Sequence, residues 1–288
     1  MGSVKAFSNK ENDGPGLWSE IPPGIADIRL IAVDMDGTLL PPDGQIPGAL
    51  WPLLRQLTER GITFVPASGR QYATLAAMFP DAGASLSFIA ENGNLVVHAG
   101  KVISSDNLEF SVVREVIDTV RSSERNLGLV VCGVASAYIE SADAQFVAEA
   151  RKYYAELETV RDLTDVRDEV LKLAIFDRDD AATTADTVLN RIANSHQVVV
   201  SGKHWVDIMT PWADKGRALR SLQRQLGVSQ AQTVAFGDYL NDLELLEEAD
   251  WSFAMANAHP DIKAAARFLA PSNTDNGVIS VLQHLLNL

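Results

Sequence analysis

The sequence holds a single cysteine, Cys132, so no internal disulfide can staple the fold. Its place in the strand-like run "LGLVVCGV" reads as that of a small buried apolar residue with no chemistry of its own. Basic residues are also scarce. The 24 Lys and Arg stand against 38 Asp and Glu, a net charge of −14, which argues against nucleic acid as partner because such binders display a basic face. No apolar run approaches the ~20 residues that a membrane span needs. The first residues, "MGSVKAFSNKENDGPG", contain no apolar signal core and no Ser or Thr at position six for myristoylation. These absences predict a soluble cytoplasmic protein with no membrane partner. Neither G-x-G-x-x-G nor a Walker A pattern is present, which removes the usual dinucleotide and P-loop sites. The five histidines, His98, His196, His204, His259 and His284, lack zinc-ligand spacing, so hairpin, capping and surface roles are expected of them.

What the chain does have is apolar content, 47% over 288 residues, enough to bury the cores of two modest domains. Residues 1–26 are rich in Gly, Pro, Asn and charge without period and read as a flexible tail. From Ile28 onward strand and helix alternate. "IRLIAVD" and "GITFVPAS" are continuous apolar strands, and Leu50, Leu53, Leu54 and Leu57 fall on one helical face between them. "YATLAAMF" and "LSFIAENG" add a helix and a strand, which makes a βαβαβ unit with a parallel sheet. The alternation resumes after residue 211 with "DKGRALRSLQRQLG", "QTVAFGD", "LNDLELLEEA" and "WSFAMA", and ends in helices near "DIKAAA" and "GVISVLQHLL". Between these halves, "NLVVHAGKVI" and "HQVVVSGKHWVDIMT" read as hairpins, with helices near 108–123, 143–157 and 181–194. The expected fold is α/β: a Rossmann-like parallel-sheet core, 27–93 and 210–288, with an α+β unit inserted over 94–209.

The ends of the core strands hold the chemistry. "LIAVDMDGTLL" puts Asp34 and Asp36 one residue apart where a buried strand stops, and ligands of open α/β sheets bind outside the carboxyl ends of strands. Asp-Gly is also an ordinary turn, so the pair alone decides nothing. A calcium loop is excluded, because Leu39 and Gln45 occupy the places of its Gly and Glu. The second strand ends in Ser68-Gly69-Arg70 before a helix, a turn whose backbone N–H groups can seat an anion. "TVAFGD" ends in Gly237-Asp238, with Asn241-Asp242 in the next turn, and Lys215 opens the helix before it. Converging carboxylates with one Lys and a Ser-Gly turn are what Mg²⁺ plus a phosphate group require: hard oxygen ligands for the metal and donors for the phosphate oxygens. Trp205 and Trp212, near the exit of the insert, are candidates either to pack or to touch substrate, with packing the expected role.

These residues resemble the haloacid dehalogenase superfamily of phosphotransferases, whose four motifs match Asp34-Met35-Asp36-Gly37-Thr38, Ser68, Lys215 and Gly237-Asp238-Tyr239-Leu240-Asn241-Asp242 in order. The long insert, "AENGN", "DKGRAL" and "DNGV" resemble its Cof-type, class IIB branch with a mobile cap; Ser68 stands where that branch more often has Thr. The resemblance implies a phosphatase of small phosphate monoesters, with sugar phosphates the expected class. By it Asp34 is the nucleophile, Asp36 the general acid and base, and Mg²⁺ is held by Asp34, the Asp36 carbonyl and Asp238, with Asp242 close by. Ser68 and the Gly69 amide hold phosphoryl oxygens, Lys215 offsets charge and Asn241 orients neighbouring groups. A phosphomutase would use the same nucleophile and acid. A phospho-aspartate signalling protein is the rival from another class, and a second carboxylate suited to turnover argues against it.

Overall fold

In the computed structural model of the chain the described residues are 14–24, 27–80 and 86–288. The first strand, β1 (Gly16–Leu17), precedes β2 (Leu30–Asp34), whose five residues are all buried. Helix α1 (Leu50–Glu59) buries Leu50, Leu53, Leu54 and Leu57, an i, i+3, i+4, i+7 stripe. Each Leu so buried is worth about 1.5–3 kcal/mol, so a charge placed at Leu53 would undo the docking of this helix. There follow β3 (Thr63–Ala67), α2 (Tyr72–Ala77), β4 (Ser87–Ala90), β5 (Leu95–His98) and β6 (Lys101–Ser105). The middle of the chain forms α3 (Phe110–Ser122), β7 (Leu127–Gly133), β8 (Ala137–Ile139), α4 (Ala144–Ala150), β9 (Leu157–Thr159), β10 (Val170–Asp177), α5 (Ala181–Thr187), β11 (Gln197–Gly202) and β12 (Trp205–Met209). The last part is α6 (Lys215–Leu226), β13 (Thr233–Gly237), α7 (Leu243–Glu247), β14 (Trp251–Met255), α8 (Pro260–Ala265), β15 (Phe268–Ala270) and α9 (Gly277–Leu286).

These elements form two compact units. The first takes the chain up to Gly69, Leu75–Ser104 and Asp214–Leu288, and contains a sheet of order β1-β15-β14-β13-β2-β3-β4-β5-β6. The strands from β15 to β4 run parallel, and β5 is antiparallel to β4. From β2 the chain steps outward through β3 and β4, then returns to the other side of β2 as β13 and steps outward through β14 and β15. The order therefore reverses between β2 and β13, and such a switch point opens a crevice at the carboxyl ends of the two strands. Phe236 pairs with Val33 there, which brings Asp34 and Asp238 to neighbouring strand ends.

Two expectations change in this unit. The hairpin β5–β6, read as part of the insert, extends the core sheet. Leu95, Val96 and Val97 are buried by pairing with β4, and an apolar antiparallel strand carries no mark of which sheet it joins. The tail expected over 1–26 is ordered in its described part. Gly16 and Leu17 pair in parallel with Phe268 and Leu269, Ile21 is buried, and His284 Nε2 hydrogen-bonds to the Ile21 carbonyl at 2.6 Å while its ring meets Trp18 edge-on. The apolar residues among the glycines and prolines anchor it. Residues 1–13 and 25–26 lie outside the described residues.

The second unit, Arg70–Thr74 with Ser105–Ala213, is built on a sheet of order β11-β12-β10-β7-β8-β9, in which β10 pairs antiparallel with both β7 and β12. Val131, Leu173, Ile175, Val206 and Ile208 form a core on one face with α3 and α5. Cys132 packs with Phe146, Tyr154, Phe176 and Trp205 on the other face, as a buried apolar residue. The helix expected over 143–157 stops at Ala150. Gln71 and Thr74 intercept the backbone beyond it: Gln71 accepts from Glu156 N and donates to its carbonyl, and Thr74 Oγ1 accepts from Ala155 N.

Candidate active site

The centre of the first unit is the pairing of Lys215 with two carboxylates. Its Nζ lies 2.5 Å from Asp34 Oδ1 and 2.7 Å from Asp242 Oδ1, and Lys215 is 1% exposed. Lys215 is the first residue of α6, where the helix dipole disfavours a cation, so its charge depends on these carboxylates. Asp214 caps the helix by accepting from Arg217 N at 2.6 Å, which fixes the turn that sends Lys215 inward. Asp242 is fully buried, and its second oxygen accepts from the amides of Asp238 and Tyr239 at 3.0 and 3.2 Å. It therefore ties the loop after β13 to the lysine.

Asp238 accepts from Thr38 Oγ1 at 3.0 Å. Gly37, at φ +88°, is what lets the two segments approach, since a Cβ there would lie 2.3 Å from Asp238 Oδ2. The segment 37–40 is pinned from the far end of the chain: Asn257 donates to the Gly37 carbonyl at 2.7 Å and Asn273 to the Leu40 carbonyl at 2.8 Å. Asn273 N in turn donates to Asn257 Oδ1. Neither asparagine stands out in the sequence, because each acts through a tertiary contact with no local pattern.

Side-chain oxygens of Asp34, Asp238 and Asp242 lie within 4.8 Å of one another. Burial, and then the neighbouring Asp242 charge, push the Asp34 carboxyl up to about 8 against the opposing pull of Lys215. Burial also raises Asp238, although the Thr38 hydrogen bond counters it. Burial opposes the charge of Lys215, but Asp34 and Asp242 outweigh it and hold the ammonium above its ordinary range. Three carboxylates thus face one ammonium, and the cluster needs a proton or a further cation to balance it. The donors are all hard oxygens, and the glycine cradle keeps Asp238 beside Asp34, so the site fits a divalent cation of the magnesium or calcium kind.

Ser68 follows β3 and is buried; its backbone N–H donates to the Ile89 carbonyl and its carbonyl accepts from Asn92 N at 3.0 Å. The turn Glu91-Asn92-Gly93 has three successive positive φ values, +51°, +56° and +101°. Gly93 is packed so closely that a Cβ would lie 2.2 Å from the Asp214 carbonyl oxygen and 3.0 Å from Lys215 N.

Of the residues expected at the site, Asp34, Asp238, Asp242 and Lys215 are brought into one cluster, with Ser68 and Gly69 at the end of the adjoining strand. The Asp36 side chain is outside the acidic cluster, in an exposed position two residues beyond the end of β2. Asn241 lies exposed in the turn Leu240–Asp242, outside the hydrogen bonds of the cluster. His98 bonds Ser87, His196 bonds Ser195, His204 meets the Asp177 carbonyl and His259 caps α8.

A family model for haloacid dehalogenase-like hydrolases matches residues 31–282. The chain is 33% identical over 262 residues to the 5-amino-6-(5-phospho-D-ribitylamino)uracil phosphatase of Escherichia coli, covering 90% of this chain and 96% of that one. It is 28% identical over 240 residues to the HMP-PP phosphatase of Cronobacter sakazakii, covering 82% and 87%. Among solved structures, a protein of Eubacterium rectale superposes with a TM-score of 0.82 at 26% identity, over 90% of this chain and 99% of that one. One from Streptococcus mutans superposes at 0.77 and 28%, over 91% and 100%.

Proposed function

The chain belongs to the haloacid dehalogenase-like hydrolases, as a phosphatase of the Cof type, and from that premise we propose that it hydrolyses small phosphate monoesters, sugar phosphates among them, through an aspartyl-phosphate. The observation that carries this reading is the buried Asp34–Lys215–Asp242 cluster at the strand switch point, beside Asp238 and the Ser68-Gly69 turn. Asp34 is assigned as nucleophile. With Oδ1 anchored by Lys215, its carboxylate attacks phosphorus, the ester P–O bond breaks, and Asp36 gives its proton to the departing oxygen. The exposed position of Asp36 suits a group that then takes a proton from water, which attacks the phosphoryl group, releases phosphate and restores Asp34. Ser68 and the Gly69 amide are assigned to the phosphoryl oxygens, Asn241 to orienting the groups around them, and Lys215 to charge developing near Asp34.

Mg²⁺ is the proposed cofactor, held by Asp34, Asp238 and the Asp36 carbonyl, with Asp242 fixing the loop and lysine beside it. When bound it offsets the charge that otherwise keeps a carboxylate from a phosphate. Residues 105–213 enter the chain between the Ser68 and Lys215 motifs, and we assign substrate choice to this inserted unit as a cap. The 5-phospho-D-ribityl group in the compound named for the Escherichia coli relative supports the substrate class.

The test is phosphate release over a panel of sugar phosphates, nucleotides, flavin mononucleotide, pyridoxal phosphate and that relative's ribityl ester, with Mg²⁺ or with excess chelator. The reading predicts turnover of one or more sugar or ribityl phosphates that chelator abolishes and Mg²⁺ restores. Full activity in chelator would contradict the metal. Dependence on a bisphosphorylated activator would make the protein a mutase.

A further inference from the structure

Asn92 occupies a costly position that the assigned machinery does not use. The strand order places the ends of β13, β2, β3 and β4 side by side, so the site continues from Asp238 through Asp34 and Ser68-Gly69 to the turn after β4. That turn holds Glu91, Asn92 and Gly93 in succession at positive φ, the first two without being glycine. Such conformations are strained in L residues and persist where packing over-determines them, often at functional sites. Packing does so here. Gly93 is wedged against the backbone of Asp214 and Lys215, Asn94 Nδ2 donates to the Glu91 carbonyl at 2.6 Å, and Asn92 N donates to the Ser68 carbonyl.

The outcome is that the Asn92 carboxamide stands against the Ser68-Gly69 turn. A Cβ on Gly69 would lie 2.9 Å from Asn92 Oδ1 and 3.1 Å from Nδ2, so the glycine leaves room for this amide. Asn92 is half-buried, and among the described residues its carboxamide has no hydrogen-bond partner. The amide is open to solvent, and so to a ligand, and it faces the turn assigned to the phosphoryl oxygens.

We propose that Asn92 is a substrate-binding residue whose Nδ2 donates to the phosphoryl oxygen held by the Gly69 amide. The inference rests on the phosphatase reading, because it takes the Ser68-Gly69 turn as the phosphate seat. Chemically the ligand is a tetrahedral oxyanion, as ester or as inorganic phosphate. The contact is to the group transferred and not to the leaving group, so its loss weakens every ester alike.

Asn92→Gly separates binding from structure. Glycine is at ease at φ +56°, so a residue that served only the turn would be replaced without loss. Titration of inorganic phosphate with Mg²⁺ into the full chain should show binding about 10- to 100-fold weaker in Asn92→Gly than in wild type, the range for one hydrogen bond to a charged group. Asn92→Asp, which tolerates the same backbone and puts an anion beside the phosphate, should bind more weakly still. In turnover, kcat/KM of Asn92→Gly should fall by one common factor for a sugar phosphate and a nitrophenyl ester. Wild-type phosphate affinity in Asn92→Gly would overturn the inference, and so would losses that differ between the esters at unchanged phosphate affinity. A wild-type protein that binds phosphate yet hydrolyses no ester would remove the phosphatase reading while the titration still decides Asn92. A wild type that binds no phosphate would overturn both.

Discussion

Lys215 and Asp34 lie 181 residues apart in the chain and meet at 2.5 Å in a setting almost closed to solvent. Neither charge is tenable there alone. The contact joins the start of α6 to the end of β2, and sets the electrostatics of everything beside it.

Lys215→Met keeps the volume and removes the charge. Breaking a buried ion pair from one side costs about 3–5 kcal/mol, so the metal-free variant should unfold at markedly lower denaturant than wild type. Added Mg²⁺ should recover part of that loss, since it supplies the missing positive charge. Phosphate release should fall by about 10²-fold or more, as for loss of a preorganised electrostatic contact. Denaturant melts with and without Mg²⁺, alongside initial rates, check this; wild-type stability in the metal-free variant would contradict it.

The Asp34 carboxyl gives metal-free protein an unusual pH dependence. Its folded value near 8 lies above the unfolded value of about 3.9, so the folded state holds a proton that the unfolded state has lost. The stability from this group is fully present below pH 4 and is lost as pH rises through 8. Chelated wild type should therefore be less stable at pH 8.5 than at pH 5.5, and Asp34→Asn should flatten that slope. Mg²⁺ takes the deprotonated carboxylate, so it should stabilise the wild type more at pH 8.5 than at pH 5.5. A chelated wild type that gains stability over this range would contradict the assignment.

Gly37→Ala tests the cradle around Asp238. Its Cβ would lie 2.3 Å from Asp238 Oδ2, so the carboxylate must move and its bond from Thr38 must break. Gly44, at φ +71° with nothing near its Cβ, provides the control, because alanine there meets backbone strain alone. Gly37→Ala should need at least ~10-fold more Mg²⁺ for half-maximal activity, and Gly44→Ala should match wild type in that measure. Equal metal requirements in both variants would show that Asp238 does not hold the ion.

The core was legible in the sequence because its signals are local. A run such as Ile31, Ala32 and Val33 is buried on both faces, the Leu stripe of α1 has helical period, and Asp34 and Asp238 follow directly from where such strands stop. The hairpin β5–β6 was not, since Leu95–His98 reads the same in either sheet and only its pairing with β4 decides. Nor was the docking of β1, two residues whose partner lies some 250 positions on. Asn257 and Asn273 remained invisible for a related reason: a carboxamide carries no periodicity, and its work is defined by the backbone group it meets. The stretch "AENGN" stood out only as a resemblance, which gave Asn92 no role.

The central claim is that Asp34 becomes phosphorylated and Asp36 moves the protons, and the measurement that reaches it most directly is rapid quench with phosphorus-labelled nitrophenyl phosphate. A good leaving group needs little protonation, so Asp36→Asn should form the intermediate and stall before hydrolysis, with turnover down about 10²- to 10⁴-fold. The account predicts label on the peptide containing Asp34 in the Asp36→Asn protein and none in Asp34→Asn, whose activity falls to background. Near wild-type turnover by Asp34→Asn free of deamidation, or label on another residue in the Asp36 variant, would contradict it.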